Sequence, residues 1–543
     1  MESRGMESGE FLDVAAAIGR RLAMEAIWSG DRCNWLGWAY HADGERIQPV
    51  YRAMGPALGN GTAGIGLFLA ELWRATGDAV VRQAARGALA QAAGSLESWP
   101  ADWAAGLYAG LPGASVAFTL AAHALGEDRW IGAGRAALDR LGKRPPDPEQ
   151  LDVYGGVAGA ALVLLDAAAG SGDAALLDAA MGCGTLLVER ARRSGDGASW
   201  PSGRGQRHPD LLGYPHGAAG IALALLELHA AGGGDALRDT ALAALAYEAA
   251  QFDRMWNLWP DLRVEVPEPH LTVATPARFP IAWIHGATGV GMARLRIREL
   301  LPDRAENDAE LQAAVTAAAA TLGPQSLPGI NFALATGAAG NAEFLVMASA
   351  ALGRPDLRDQ AVYAARYGAL AYAANRMPWP CGGPPNGESP DLLFGLAGIG
   401  RFYLGLADPE RVRSLLSFRP RAVEKRTQAP PPPPEPPPPP PPPPPAPKPE
   451  KAAAVEPEPR KTEEPTAPEK PPAGTAPTKA PPKPPAAPKP KAPPKPKAPP
   501  EPKAPPKPPA GEALKRRTPA APAGTAPKAA RTRKPRSKDD SKK

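Results

Sequence analysis

One short phrase constrains this chain more than any other feature. A glycine, two residues and a second glycine open an apolar run seven times: "NGTAG", "AGLPG", "GGVAG", "HGAAG", "HGATG", "TGAAG" and "FGLAG". The first glycines are Gly61, Gly110, Gly156, Gly217, Gly286, Gly337 and Gly395, spaced by 46 to 69 residues. A period of that size signals repeated supersecondary units. Each phrase leads into a helix-length apolar run such as "IALALLELHAAGG", and most of these runs end in glycine, a common helix stop. Between them lie amphipathic stretches such as "DALRDTALAALAYEAAQF", with polar residues on one face. Runs with strand alternation are scarce. The pattern predicts an all-α body of alternating inner and outer helices, and seven such pairs point to a closed ring. The glycines are expected to allow close backbone approach near the axis. They are also expected to leave first-turn amides facing the centre.

The formal net charge of +6 averages two unlike parts. From residue 423 the chain is Pro, Ala and Lys with occasional Glu. "PPPPPEPPPPPPPPPPAPKPE" lacks amide donors and apolar bulk, so residues 423–543 are expected to be a disordered basic tail. That leaves residues 1–422 as a mildly acidic globular body. Three widely spaced cysteines, Cys33, Cys183 and Cys381, make no disulfide framework and favour a reducing compartment. The first residues lack a basic segment followed by an apolar core, so a cytoplasmic location is expected. Residues 104–126 carry no Asp, Glu, Lys or Arg. Their glycines, Pro112 and His123 argue for a buried helix over a membrane span.

The seven phrases resemble those of the lanthionine synthetase C-like family, the lanthipeptide cyclases. "GDRCNWLG" and "PVYRAMGPALGNGTAGIGLFLAELWRATGD" are similar to the opening of the cyclase domain of two-domain synthetases, and "WPCGGPPNGESPDLLFGLAGIGRFYLGLADPERVRSLL" to its end. The resemblance covers roughly residues 11 to 417. It implies an α/α toroid of seven inner and seven outer helices. It also implies a stand-alone cyclase-like domain, without the dehydratase that precedes it in the larger synthetases.

In that family a peptide cysteine adds to a dehydrated Ser or Thr. The resemblance implies a zinc ion on two Cys and one His, which holds the attacking thiolate, and a His that moves the proton. Here "AWIHG" puts Ile284 at the first Cys position, and "NFALATGAAGN" puts Ala335 and Thr336 at the second Cys and the His. A metal cofactor is therefore not expected. His216 in "GYPHGAAG" matches the family's acid–base His, Asp152 in "LDVYGGVAG" matches an acid that pairs with it, and His285 follows Ile284. His216 and Asp152 are the candidate catalytic pair, and His285 a candidate binding residue. His208 and His270 read as loop residues. The expected function is a zinc-free degenerate cyclase that binds a peptide or protein partner in the bowl. The alternative is a peptide-modifying enzyme using His216 and Asp152. The tail favours polyproline II, and its basic end could hold nucleic acid or an anionic surface. It has no aromatic residue after Phe418 for base stacking.

Overall fold

The computed structural model describes residues 2–422 except 44–45, 100–103, 144–146, 203–207, 265–276, 305 and 384–386. The expected tail, 423–543, lies outside the described residues.

Each phrase starts a helix that is buried nearly all round. These are α2 (Thr62–Thr76), α4 (Leu111–Leu125), α6 (Val157–Ser171), α8 (Ala218–Ala230), α10 (Ala287–Leu300), α12 (Ala338–Leu352) and α14 (Leu396–Ala407). In α8 every residue from Ala218 to Leu228 is buried, as suits a helix with protein on all sides. The alternating helices show one apolar stripe. In α5 (Arg129–Gly142) the buried residues are Trp130, Gly134, Ala137, Leu138 and Leu141, at helical spacing. With α5, the outer set is α1 (Glu2–Glu25), α3 (Ala79–Ala93), α7 (Ala174–Glu189), α9 (Asp235–Gln251), α11 (Glu306–Thr321) and α13 (Pro355–Gly368).

The packing closes a ring. Each inner helix touches the next, from α2 through α4, α6, α8, α10 and α12 to α14, and α14 packs back on α2. Six outer helices pack on the inner helix that precedes them. The seventh, α1, packs on α14, so the first helix completes the last pair. The fold is an α/α toroid of seven inner and seven outer helices. Residues 104–126 form the start and body of buried α4, and no helix among the described residues is long and apolar enough to cross a membrane. Three two-stranded hairpins decorate the ring: β1 (Ile27–Ser29) with β2 (Arg32–Asn34), β3 (Leu36–Asp43) with β4 (Arg46–Ala53), and β5 (Arg192–Ser194) with β6 (Gly197–Ser199). Sequence patterning missed them; β1, β2, β5 and β6 are only three residues long each.

The glycine phrases allow the close backbone approach expected of them, but their first-turn amides do not face the centre. None of the seven inner helices has a side-chain N-cap. Instead the first helical amide donates to the carbonyl six residues before the first glycine. The seven pairs are Thr62 to Gly55, Leu111 to Ala104, Val157 to Gln150, Ala218 to Leu211, Ala287 to Pro280, Ala338 to Asn331 and Leu396 to Ser389. Those amides are consumed by the loop and do not face the centre. The second glycine is needed because the loop folds back over the first turn. A Cβ at Gly64, Gly113, Gly159, Gly220, Gly289, Gly340 or Gly398 would overlap the carbonyl oxygen six residues earlier.

Residues beyond α14 close the central hole. Val412, Leu415, Leu416 and Ser417 are buried. Tyr108 Oη donates to the Leu415 carbonyl at 2.6 Å, and Trp283 Nε1 donates to the Leu416 carbonyl at 2.8 Å. The Phe418 amide donates to Tyr214 Oη at 3.3 Å, and Arg401 Nη2 to the Arg413 carbonyl at 2.8 Å. These partners belong to the second, fourth, fifth and seventh repeats, so the segment lies across the axis as a floor. Arg419 then pairs with Glu299 near the end of α10, and Arg421 with Asp166 on α6.

Candidate functional site

The seven loops that start the inner helices form one rim, tied together by main-chain hydrogen bonds. The linking residue is two before each first glycine. Gly59 donates to Tyr108 at 2.8 Å, Tyr108 to Tyr154 at 3.0 Å and Tyr154 to Pro215 at 2.9 Å. On the other side Ile284 donates to Ala335 at 3.0 Å, Ala335 to Leu393 at 2.8 Å and Leu393 to Gly59 at 2.8 Å. One link is missing, from the fourth loop to the fifth. The residue that should donate it is Pro215, which has no amide hydrogen.

His216 and His285 flank that break. The His216 Nδ1 lies 2.8 Å from Asp152 Oδ2. Asp152 is buried, and its other oxygen accepts the Gly155 amide at 2.7 Å. A hydrogen bond from the ring to this carboxylate uses Nδ1–H, the tautomer in which the neutral ring turns Nε2 outward as an acceptor. The His216 ring is sandwiched. Tyr154 packs on it at 4.8 Å between centroids, and His285 stacks on it at 5.0 Å and 19°. Burial pushes the His285 imidazole down to about 2, helped by the neighbouring His216, Arg263 and His208 and opposed by Asp261. His285 is therefore neutral at physiological pH. The structure thus brings Asp152, His216 and His285 together on one rim.

Asp152 also has a purely local duty. Asp391, the equivalent residue of the seventh loop, likewise lies four before a first glycine and accepts the amide three residues on, from Phe394 at 2.7 Å. Its second oxygen takes the Ser389 hydroxyl where Asp152 takes His216. The carboxylate closes a turn in both loops, and only in the third repeat does it meet an imidazole, that of His216 from the fourth.

Behind the break lies a cavity of about 10 Å³, lined among others by Gly213, Trp259, Asp261, His285 and Gly286. Trp259 is buried, and among the described residues its Nε1–H has no acceptor. Gly286 differs from its six counterparts: its φ is +146°, while theirs lie between −110° and −152°. Sequence reading missed Pro215, Tyr154 and Trp259. The proline could have been found by aligning the seven phrases and asking which lacks an amide.

The three positions that would hold zinc are adjacent, as the Ile284–Ala335 hydrogen bond requires. Their chemistry does not fit a metal. Ile284 and Ala335 offer no lone pair, and the Thr336 hydroxyl donates to Asn331 Oδ1 at 3.2 Å. Cys33, Cys183 and Cys381 are free and buried, and burial pushes all three thiols up, Cys33 and Cys381 to about 12. Among the described residues no group of three or more His, Cys, Asp or Glu could hold a metal ion. His208 is half-exposed, with Nδ1 2.8 Å from the Pro209 carbonyl oxygen, and lies close enough to act on His285. His270 lies outside the described residues.

The ring and its rim define a member of a known class. The family model described as lanthionine synthetase C-like protein matches residues 52–417, and the chain belongs to that family. Nisin cyclase is a similar solved structure, 17% identical over 65% of this chain and 88% of its own, with a TM-score of 0.49. The unsaturated glucuronyl hydrolase of Bacillus sp. GL1 is 16% identical over 78% of this chain and 100% of its own, with a TM-score of 0.39. An α-1,6-mannanase from Salegentibacter sp. is 11% identical over 74% and 99%, with a TM-score of 0.38. No curated protein matches the chain.

Proposed function

We propose that this chain is a zinc-free, degenerate member of the lanthionine synthetase C-like family that binds a peptide or protein partner in the bowl of the toroid. One observation carries the reading. The fold is that of the family and the rim is continuous except at Pro215, while the three adjacent ligand positions are Ile284, Ala335 and Thr336, and the one hydroxyl among them is already bonded to Asn331. Without a soft donor there is nothing to hold a thiolate-activating metal. A degenerate rim of this kind retains a concave surface with aromatic and imidazole side chains, suited to hold a peptide. The basic tail would serve as a tether or spacer. The direct test incubates full-length protein with a dehydrated Cys-containing peptide. The expected result is binding without thioether formation; zinc-dependent ring closure would refute the reading.

A second reading is favoured by one geometry. A buried carboxylate holding an imidazole at 2.8 Å is an arrangement that supports general-base chemistry. In that reading His216 moves a proton on a bound peptide and Asp152 orients it. Replacing His216 by Ala would then abolish the modification. An unchanged product spectrum would end this reading and leave the first intact.

A further inference from the structure

The main-chain ladder of the rim breaks between Pro215 and Ile284, and the residues flanking those two take up the connection. The residues that follow them, His216 and His285, stack ring on ring at 5.0 Å. The residues that precede them, Tyr214 and Trp283, are fully buried, and both bind the floor segment. The Phe418 amide donates to Tyr214 Oη at 3.3 Å, and Trp283 Nε1 donates to the Leu416 carbonyl at 2.8 Å. A path from the fourth loop to the fifth through residues 416–418 therefore stands where the other loops have a direct amide-to-carbonyl bond.

A bridge transmits position only if it is stiff, and this one is held along its length. Arg401 Nη2 donates to the Arg413 carbonyl at 2.8 Å, and Arg401 is itself fixed by its buried pair with Glu71. The Leu416 amide donates to Ser414 Oγ at 3.1 Å, and Tyr108 Oη donates to the Leu415 carbonyl at 2.6 Å. Breaking such a bond in the interior strands a polar group away from water, so the segment has little freedom to shift. Its grip also reaches the other face of His216. Tyr108 packs on Tyr154 at 5.8 Å between centroids, and Tyr154 packs on His216 at 4.8 Å. Both neighbours of the His216 ring are thus tied to one segment, His285 through Trp283 and Tyr154 through Tyr108.

We propose that residues 413–418 are the substitute link of the rim, and that Tyr214 and Trp283 are positioning residues that set the His216–His285 stack through it. Their two hydrogen bonds to the segment fix the spacing of the fourth and fifth loops, which Pro215 has no amide hydrogen to fix. The proposal rests on the reading in which His216 acts on a bound peptide, and it adds the residues that hold the imidazole in place. The floor then belongs to the site as well as to the scaffold.

The test uses full-length protein with isotope-labelled histidine and reads the ring signals of His216 and His285 by NMR. The two are identified by their loss in His216→Gln and His285→Gln. Tyr214→Phe removes one oxygen, and Trp283→Phe removes the indole N–H. Each is expected to shift both imidazole signals toward unstacked positions, and the double variant to shift them further. Tyr403→Phe is the control, since it removes an equally buried hydroxyl on α14 that donates to the Ala365 carbonyl at 2.6 Å. It should lower the melting temperature and leave both imidazole signals in place. Signals unmoved by both Tyr214→Phe and Trp283→Phe would overturn the proposal, because the floor would then only fill the axis. Signals moved as far by Tyr403→Phe would also overturn it, because any buried loss would then loosen the rim. No peptide is needed, so a failed modification assay counts against the general-base reading and leaves the bridge standing.

Discussion

At the scale of single residues, Gly286 and Asp152 carry the sharpest expectations. Gly286 combines a φ of +146° with a Cβ position that would overlap the Pro280 carbonyl. Gly286→Ala should therefore cost about 3–5 kcal/mol. Gly126, at φ +67° with open space around it, should cost only about 1–2 kcal/mol on the same change. Denaturant titration of the two variants compares them directly. Asp152→Asn separates turn from dyad. Asn can still accept the Gly155 amide, so stability should change by less than about 1 kcal/mol, while the His216 ring loses its anionic partner. Nitrogen NMR of the imidazole should report that loss; unchanged ring shifts would show that the carboxylate does not govern His216. His285 gives a pH dependence. Its folded pKa is depressed below the unfolded value near 6.5, so its contribution is full above that pH and is lost as pH falls toward about 2. His285→Gln should flatten the acid limb of the stability curve below pH 6.5. The dyad could not be derived from spacing, because Asp152 and His216 are 64 residues apart; it came from resemblance. The local duty of Asp152 was invisible for another reason, since an Asp before a glycine-rich turn reads the same with or without a histidine opposite.

At the scale of elements, the inner helices carry buried charge that apolar periodicity concealed. Arg294 of α10 is fully buried between Glu248 of α9, at 2.9 Å, and Glu310 of α11, at 2.5 Å. Glu71 of α2 and Arg401 of α14 close the ring with a second buried pair at 2.8 Å. Arg294→Met should cost about 3–5 kcal/mol, because it strands a desolvated Glu248. Calorimetry of the variant tests this, and the double variant with Glu248→Leu should recover much of the loss. The floor segment gives a second expectation. A chain ending at residue 411 loses the hydrogen bonds to Tyr108, Tyr214 and Trp283 and should melt well below one ending at residue 422. Equal melting temperatures would mean that the axis needs no filling. Helix number and order were legible because each inner helix repeats a glycine phrase and an apolar run. The floor was not, because its residues have no periodicity and are recognised only by side chains that come from four repeats.

At the scale of the whole molecule, a seven-part ring holds a rim whose main-chain ladder is complete except at Pro215. In the function proposed above, the family's three metal-holding side chains would belong to two neighbouring links of that ladder, where this chain has Ile284, Ala335 and Thr336. The substitutions were readable from sequence because the phrases fix the register; their adjacency was not, since positions 284 and 335 are far apart in the chain. The account's central claim is that the frame survives without its metal donors. The most direct measurement is zinc content per chain, made on the purified protein and on the variant Ile284→Cys, Ala335→Cys, Thr336→His. The account predicts no stoichiometric zinc in the first and about one tightly bound zinc in the second. One zinc per chain in the unsubstituted protein would contradict it.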